Sequence, residues 1–206
     1  MPHRTVPHRI MWMLAVAWVA ALFMLWPSLG LCAELKIGQK APNFELPTIF
    51  GDSTYTSRDL FSQDTLTVLI LWTSYCQDCW KALKSCHDLS EKVMDRGVRV
   101  IGINFDTERL ATARGFIKGE KIDFVNLSDF HGSAVRAYRA ESYDFSTFIV
   151  DKNGILKYVS YDHPPDIDRV ILKKIEEMLG SEERTNEKKD EKKRSKEPEP
   201  DRDRKV

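Results

Sequence analysis

The chain has 206 residues, with 31 Lys and Arg against 31 Asp and Glu, so its formal net charge is zero. That length holds one ordinary domain with appendages, and the balanced charge leaves no basic footprint for nucleic acid. The four cysteines, Cys32, Cys76, Cys79 and Cys86, are too few for a small disulfide scaffold.

Charge is spread unevenly along the chain. His3, Arg4, His8 and Arg9 make a basic start, and Ile10 to Trp26 is an uncharged apolar run. Pro27, Ser28 and Gly30 follow before Ala33-Glu34 opens a polar region. This is the layout of a signal peptide, and the run is nearly long enough to span a bilayer. Residues 1–33 are therefore expected to be either a cleaved leader or a retained membrane anchor. The positive end would stay inside, placing the rest of the chain on the extracytoplasmic face of the cell envelope. Leu29-Gly30-Leu31-Cys32 bears a partial likeness to a bacterial lipidation box, with Leu31 where a small residue is wanted. At the other end, residues 181–206 are almost entirely charged or polar. Such a segment buries too little apolar surface to offset chain entropy and is expected to be a disordered tail.

Residues 34–180 carry the fold. Leu66 to Trp72 (LTVLILW) reads as a strand buried on both faces. A helix is predicted from Cys79 to about Arg96, with Trp80, Leu83, Cys86 or His87, Ser90, and Val93 or Met94 at helical spacing and Gly97 as its stop. Val98 to Phe105 reads as a second buried strand, Arg109 to Gly119 as a helix, and Gly132 to Ala140 as a short one. Ser146 to Val150 and Ile155 to Tyr161 form a predicted hairpin about the turn Asp151-Lys152-Asn153-Gly154. Pro164-Pro165 precedes a last amphipathic helix, Asp166 to Leu179, whose buried side is marked by Val170, Ile171, Ile175, Met178 and Leu179. This order predicts an α/β fold, a central mixed sheet flanked by helices, with an N-terminal extension. Such sheets place a site at the carboxyl end of the first long strand.

Cys76-Gln77-Asp78-Cys79 sits at that place, between a buried strand and a helix start. Two thiols at this spacing can form an exposed disulfide, and the helix N-terminus stabilises the thiolate of the first. Asp78 opposes a second negative charge on Cys76, which predicts a less acidic thiol and a pair leaning toward reductant, with Lys81 and Lys84 as partial offsets. A structural zinc site would need further ligands, and no second CxxC or nearby CxxH is present. Cys86 lies about 10 Å along the helix from Cys79, too far for a bond, and reads as a small core thiol. His131 and His163 read as surface loop residues. Asp106 and Glu108, after the second strand, read as solvated loop charges, with an acid that assists proton transfer as the other reading.

On this framework the chain resembles the thioredoxin-fold proteins, and more narrowly the extracytoplasmic TlpA/ResA-like branch, which overlaps in sequence with the alkyl hydroperoxide reductase/thiol antioxidant group. Gly38 to Leu46 resembles the opening segment of that branch, and Leu71 to Cys79 its active-site run, with Tyr75 where Trp is usual. Residues 97–104 and 147–154 resemble two later strands and a turn. The resemblance implies a thiol–disulfide oxidoreductase with Cys76 as nucleophile and Cys79 as resolving thiol, with Trp72, Tyr75, Asp78, Phe145 and Ser146 as neighbours or substrate contacts. It implies no cofactor and no metal, a protein disulfide as substrate (apocytochrome c thiols in much of the branch), and a membrane thiol carrier as electron donor.

One residue departs from that pattern. The family carries a cis-proline before the Thr-Phe-Ile strand, and Phe145 stands there; no proline occurs between Pro47 and Pro164. A cis bond before Phe145 would cost about 3–4 kcal/mol, so trans is expected. Either the loop exposes its own amide beside the sulfurs or Phe145 covers them. Two other functions stay open. Thr73-Ser74-Tyr75-Cys76 has the Thr-x-x-Cys half of a thiol peroxidase signature, with Leu69 in place of its proline. A non-catalytic thioredoxin-fold module, holding a soft metal or a partner, would tolerate the missing proline.

Overall fold

The computed structural model describes residues 35–162 and 164–194. The leader or anchor expected at 1–33, Cys32, His163 and the chain beyond Arg194 lie outside those residues.

The strand Leu66–Trp72, here β3, is buried at every position and forms the centre of a five-stranded sheet ordered β5-β4-β3-β6-β7. It runs parallel to β4 (Val98–Asn104), from Leu66 opposite Val98 to Trp72 opposite Asn104. It runs antiparallel to β6 (Phe145–Asp151), with Trp72 opposite Phe145. β5 (Asn126–Ser128) lies parallel to β4 at one edge, and β7 (Leu156–Ser160) closes the other as the predicted hairpin partner of β6. The hairpin turn is held by the Asp151 carboxylate, which accepts from the Asn153 and Ile155 amides, both at 2.9 Å. Gly154 there takes φ 72°, a left-handed conformation open to glycine at little cost.

Strand alternation divides the apolar residues between two layers. Leu66, Val68, Ile70 and Trp72 face a core shared with three helices: α2 (Gln77–Val93), α3 (Leu110–Gly119) and α5 (Ile167–Arg194). Leu69 and Leu71 face a second core, lined by α1 (Ser57–Gln63), α4 (Ser133–Ala137) and the segment from Ala41 to Leu46. β3 therefore reads as a continuous apolar run, because neither face meets water.

Helix α2 buries Cys79, Ala82, Leu83, Cys86, Leu89 and Val93. Met94, a candidate for its buried stripe, is 68% exposed instead, because the helix tightens into a 3-10 turn at Met94–Arg96. Gly97 then ends it at φ 71°. The buried Asp129 carboxylate starts α4 by accepting from Ser133 N at 2.8 Å and Val135 N at 2.7 Å. Ile167, Ile171 and Ile175, one turn apart, dock α5.

Four elements have no counterpart in the sequence reading: α1, β5, and the hairpin of β1 (Glu45–Pro47) and β2 (Thr54–Thr56). The three strands are three residues each, too short to show a period. The last helix enters the segment expected to be a disordered tail. It continues to Arg194, past the predicted end at Leu179. Glu, Lys and Arg are strong helix formers, and no proline follows Pro165 until Pro198. Local propensity therefore extends the helix where the composition offers no core to bury. Among the described residues, no helix is long and apolar enough to cross a membrane.

Candidate active site

The carboxyl ends of β3, β4 and β5 and the start of β6 lie at one edge of the sheet, and Cys76 and Cys79 lie at that edge. The two are joined in a disulfide with Cα atoms 5.2 Å apart. Cys76 is the N-cap of α2, and its Sγ accepts from the Cys79 amide at 3.1 Å. A sulfur takes the place that Ser or Asp usually fills at a helix start, so it faces the unpaired amides and the positive end of the dipole. Cys76 is half-buried, whereas Cys79 is fully buried one turn in. The Cys79 Sγ lies 3.6 Å from the Asp144 carbonyl, which also accepts from Thr73 N at 3.2 Å. In the dithiol state Cys79 can donate its S–H to that carbonyl.

Asp106 is the residue most misjudged from sequence. It is 1% exposed rather than solvated. Its carboxylate accepts from Ser74 N at 3.1 Å on both oxygens, from the Thr73 hydroxyl, and from Asn104 Nδ2 at 3.1 Å. Asn104 Nδ2 also reaches the Trp72 carbonyl at 3.3 Å. A buried charge with this set of donors ties the Thr73-Ser74 turn, which leads into Cys76, to the end of β4. The signal available in the sequence was an Asn at the last position of a buried strand with an Asp two residues on, since buried polar groups need partners. Glu108, its companion in the sequence reading, is exposed.

The remaining expected site residues divide. Trp72 is a buried floor: its indole donates to Asn126 Oδ1 at 3.2 Å, and its ring lies 6.2 Å from Phe116, itself 4.8 Å from Trp80. Tyr75 is at the rim, 54% exposed, with the Arg109 guanidinium 4.8 Å from its ring centroid. Asp78 is exposed and pairs with Lys81 at 2.9 Å, so Lys81 does offset it. Lys84 does not: it pairs with Glu120, the residue just past α3, an acid that raises its pKa. Phe145 is 1% exposed and belongs to the same buried cluster as Trp72 and Cys79; every described peptide bond, including the one before it, is trans. The chain edge beside the sulfurs is thus the Asp144 carbonyl. Ser146, opposite Leu71, is turned by strand alternation to the other layer, away from the pair.

Cys86 is fully buried and free, and burial, with the Asp168 carboxylate adding, pushes its thiol far above the ordinary range. Thr73 is 3% exposed; its hydroxyl donates to Asp106 and accepts from the Tyr75 amide at 3.3 Å.

A disulfide between a helix N-cap and the first turn, at the end of the central strand of this sheet, defines a thioredoxin-fold thiol–disulfide oxidoreductase. Residues 37–159 match the AhpC/TSA family, and the chain belongs to it. It is 28% identical over 140 residues to the thiol:disulfide interchange protein DsbE of Pseudomonas fluorescens biotype C, covering 66% of this chain and 70% of that one. It is 24% identical over 143 residues to the thiol-disulfide oxidoreductase ResA of Bacillus thuringiensis subsp. konkukian, covering 69% and 80%. Among solved structures, a protein of Chlorobium tepidum assigned as DsbE superposes with a TM-score of 0.63 at 23% identity, over 71% of this chain and 99% of that one. That last likeness bears on the fold.

Proposed function

We propose that the protein is an extracytoplasmic reductant of protein disulfides, with Cys76 as nucleophile and Cys79 as resolving thiol. The observation that carries this reading is the difference in access between the two sulfurs: Cys76 half-buried at the helix N-cap, Cys79 fully buried behind it. In the dithiol form the Cys76 thiolate, held by the Cys79 amide and the helix dipole, attacks a sulfur of the substrate disulfide and releases the first substrate thiol. Cys79 then gives up its proton and attacks Cys76. This restores the Cys76–Cys79 disulfide and releases the second substrate thiol, so two electrons pass to the substrate.

Asp78 beside the pair favours the reductant direction, although Lys81 moderates it. The basic start and the apolar run at residues 10–26 support an exported or anchored domain. A reductant in that compartment needs a membrane thiol carrier to return the pair to the dithiol. Trp72 serves as floor, and Tyr75 and Asp144 are the accessible groups that meet the substrate.

The test is a redox titration of the purified full-length chain against glutathione, with thiol trapping and mass spectrometry. Reversible two-electron cycling confined to Cys76 and Cys79, nearer thioredoxin's roughly −270 mV than the roughly −120 mV of strong oxidants, supports the reading. A Cys79→Ser variant should accumulate a mixed disulfide at Cys76, and a Cys76→Ser variant none. A pair that does not cycle overturns it.

A further inference from the structure

The mouth of the site has Arg109 on one flank and Asp144 on the other. The order β4-β3-β6 fixes this arrangement: Cys76 follows β3, Arg109 follows β4, and Asp144 immediately precedes β6. Both Arg109 and Asp144 are exposed, and neither makes an ion pair among the described residues, although Glu108 adjoins Arg109 in the chain. Arg109 is held at the rim by its stack on Tyr75, the residue before Cys76. A guanidinium stacked on a ring keeps its N–H edge free for a carboxylate, and the stack lowers the entropy lost when one binds. Asp144 is fixed by its backbone, whose carbonyl accepts from Thr73 N at 3.2 Å. Asp78, the acid between the two cysteines, is paired with Lys81.

We propose that Arg109 and Asp144 determine substrate specificity: they select a polypeptide that carries an acidic side chain on one side of its reactive cysteine and a basic side chain on the other. Strands lie about 4.8 Å apart, so β4 and β6 are separated by roughly 10 Å, the span of about three residues of extended chain. The two charges are thus read on opposite sides of the cysteine. Because Arg109 and Asp144 differ in sign, they also set the direction in which the segment crosses the mouth. The proposal rests on the oxidoreductase reading above and adds the substrate class to it.

The test uses two peptides of identical composition, each with one cysteine held as a mixed disulfide with glutathione. One has Glu before and Lys after the cysteine, and the other has them exchanged. The full-length chain, pre-reduced, converts each to a free peptide thiol and free glutathione while its own dithiol becomes the disulfide. Net charge is the same in both peptides, and their rate ratio on one variant cancels any change in thiol acidity.

Wild type should prefer one peptide by about fivefold, as expected for two exposed ion pairs. The preference should shrink in 1 M salt and invert in the double variant Arg109→Glu with Asp144→Lys. Equal rates in wild type, or a preference that the double variant leaves unchanged, overturn the proposal while the oxidoreductase reading stands. No reduction of either peptide overturns both.

Discussion

Replacing Asp106 with alanine removes the acceptor for the Ser74 amide and the Thr73 hydroxyl, two donors that are only 4% and 3% exposed as residues. Asn104 keeps its second partner, the Trp72 carbonyl, so it is not orphaned. Each buried donor left unpaired costs about 1–3 kcal/mol. Removing a buried charge recovers part of that sum, which leaves a net loss of about 2–4 kcal/mol. Against a urea slope of about 2 kcal/mol/M, the unfolding midpoint should fall by about 1–2 M, read by tryptophan fluorescence and far-UV circular dichroism with the disulfide intact. Asp106→Asn keeps one acceptor oxygen and should lose about half as much. Because the lost contacts hold the turn into Cys76, the alanine variant should also exchange disulfides more slowly. An alanine variant whose midpoint lies within about 0.25 M of wild type would refute the role given to this carboxylate.

Gly102→Ala should destabilise by a few kcal/mol, because the new Cβ would overlap the Asn126 amide and press on the Phe124 ring. Asn126 would have to leave the Trp72 indole, so the tryptophan emission of the folded state should shift as well; an unshifted spectrum would contradict the assignment. Phe145→Pro should not recover the family pattern. It replaces a core ring and sets proline in a strand paired to the sheet centre, for a loss of about 3–5 kcal/mol by chemical denaturation. An equally stable variant with faster exchange would show that Phe145 is only a loop residue. Cys86 gives a pH dependence with a definite sign. Its folded pKa is raised, so above about pH 8.5 the unfolded chain loses this proton while the folded chain keeps it. Stability should therefore fall by about 1.4 kcal/mol per pH unit between about 8.5 and 10 with the Cys76–Cys79 pair oxidised, and Cys86→Ala should remove that slope. A wild-type chain and an alanine variant with the same alkaline slope would rule the mechanism out.

The site was legible where local chemistry was enough to mark it. Cys76 and Cys79 were placed at a strand-to-helix turn by the apolar run before them and the helical spacing after them. Asp106 was misread because its burial depends on Thr73 and Ser74, more than thirty residues earlier in the chain. Arg109 was read only as a helix start. Its stack on Tyr75 exists because two parallel strands end side by side. Phe145 was seen as an absence of proline, but which way its ring turned followed from its register opposite Trp72.

The sequence alone determined the elements long enough to show a period. These are the buried strands β3, β4 and β6, the helices α2 and α3, the hairpin turn at Gly154, and the thiol pair at a strand-to-helix turn. They follow from propensity, apolar patterning and turn residues, all of which act over a few neighbours. The tertiary structure decided what depends on distant partners: the three-residue strands, the split of the core into two layers, the buried carboxylate beneath the active-site turn, and the unlike charges on its two flanks. Burial and pairing of polar groups are properties of the packed sheet edge, and no window along the chain contains that edge.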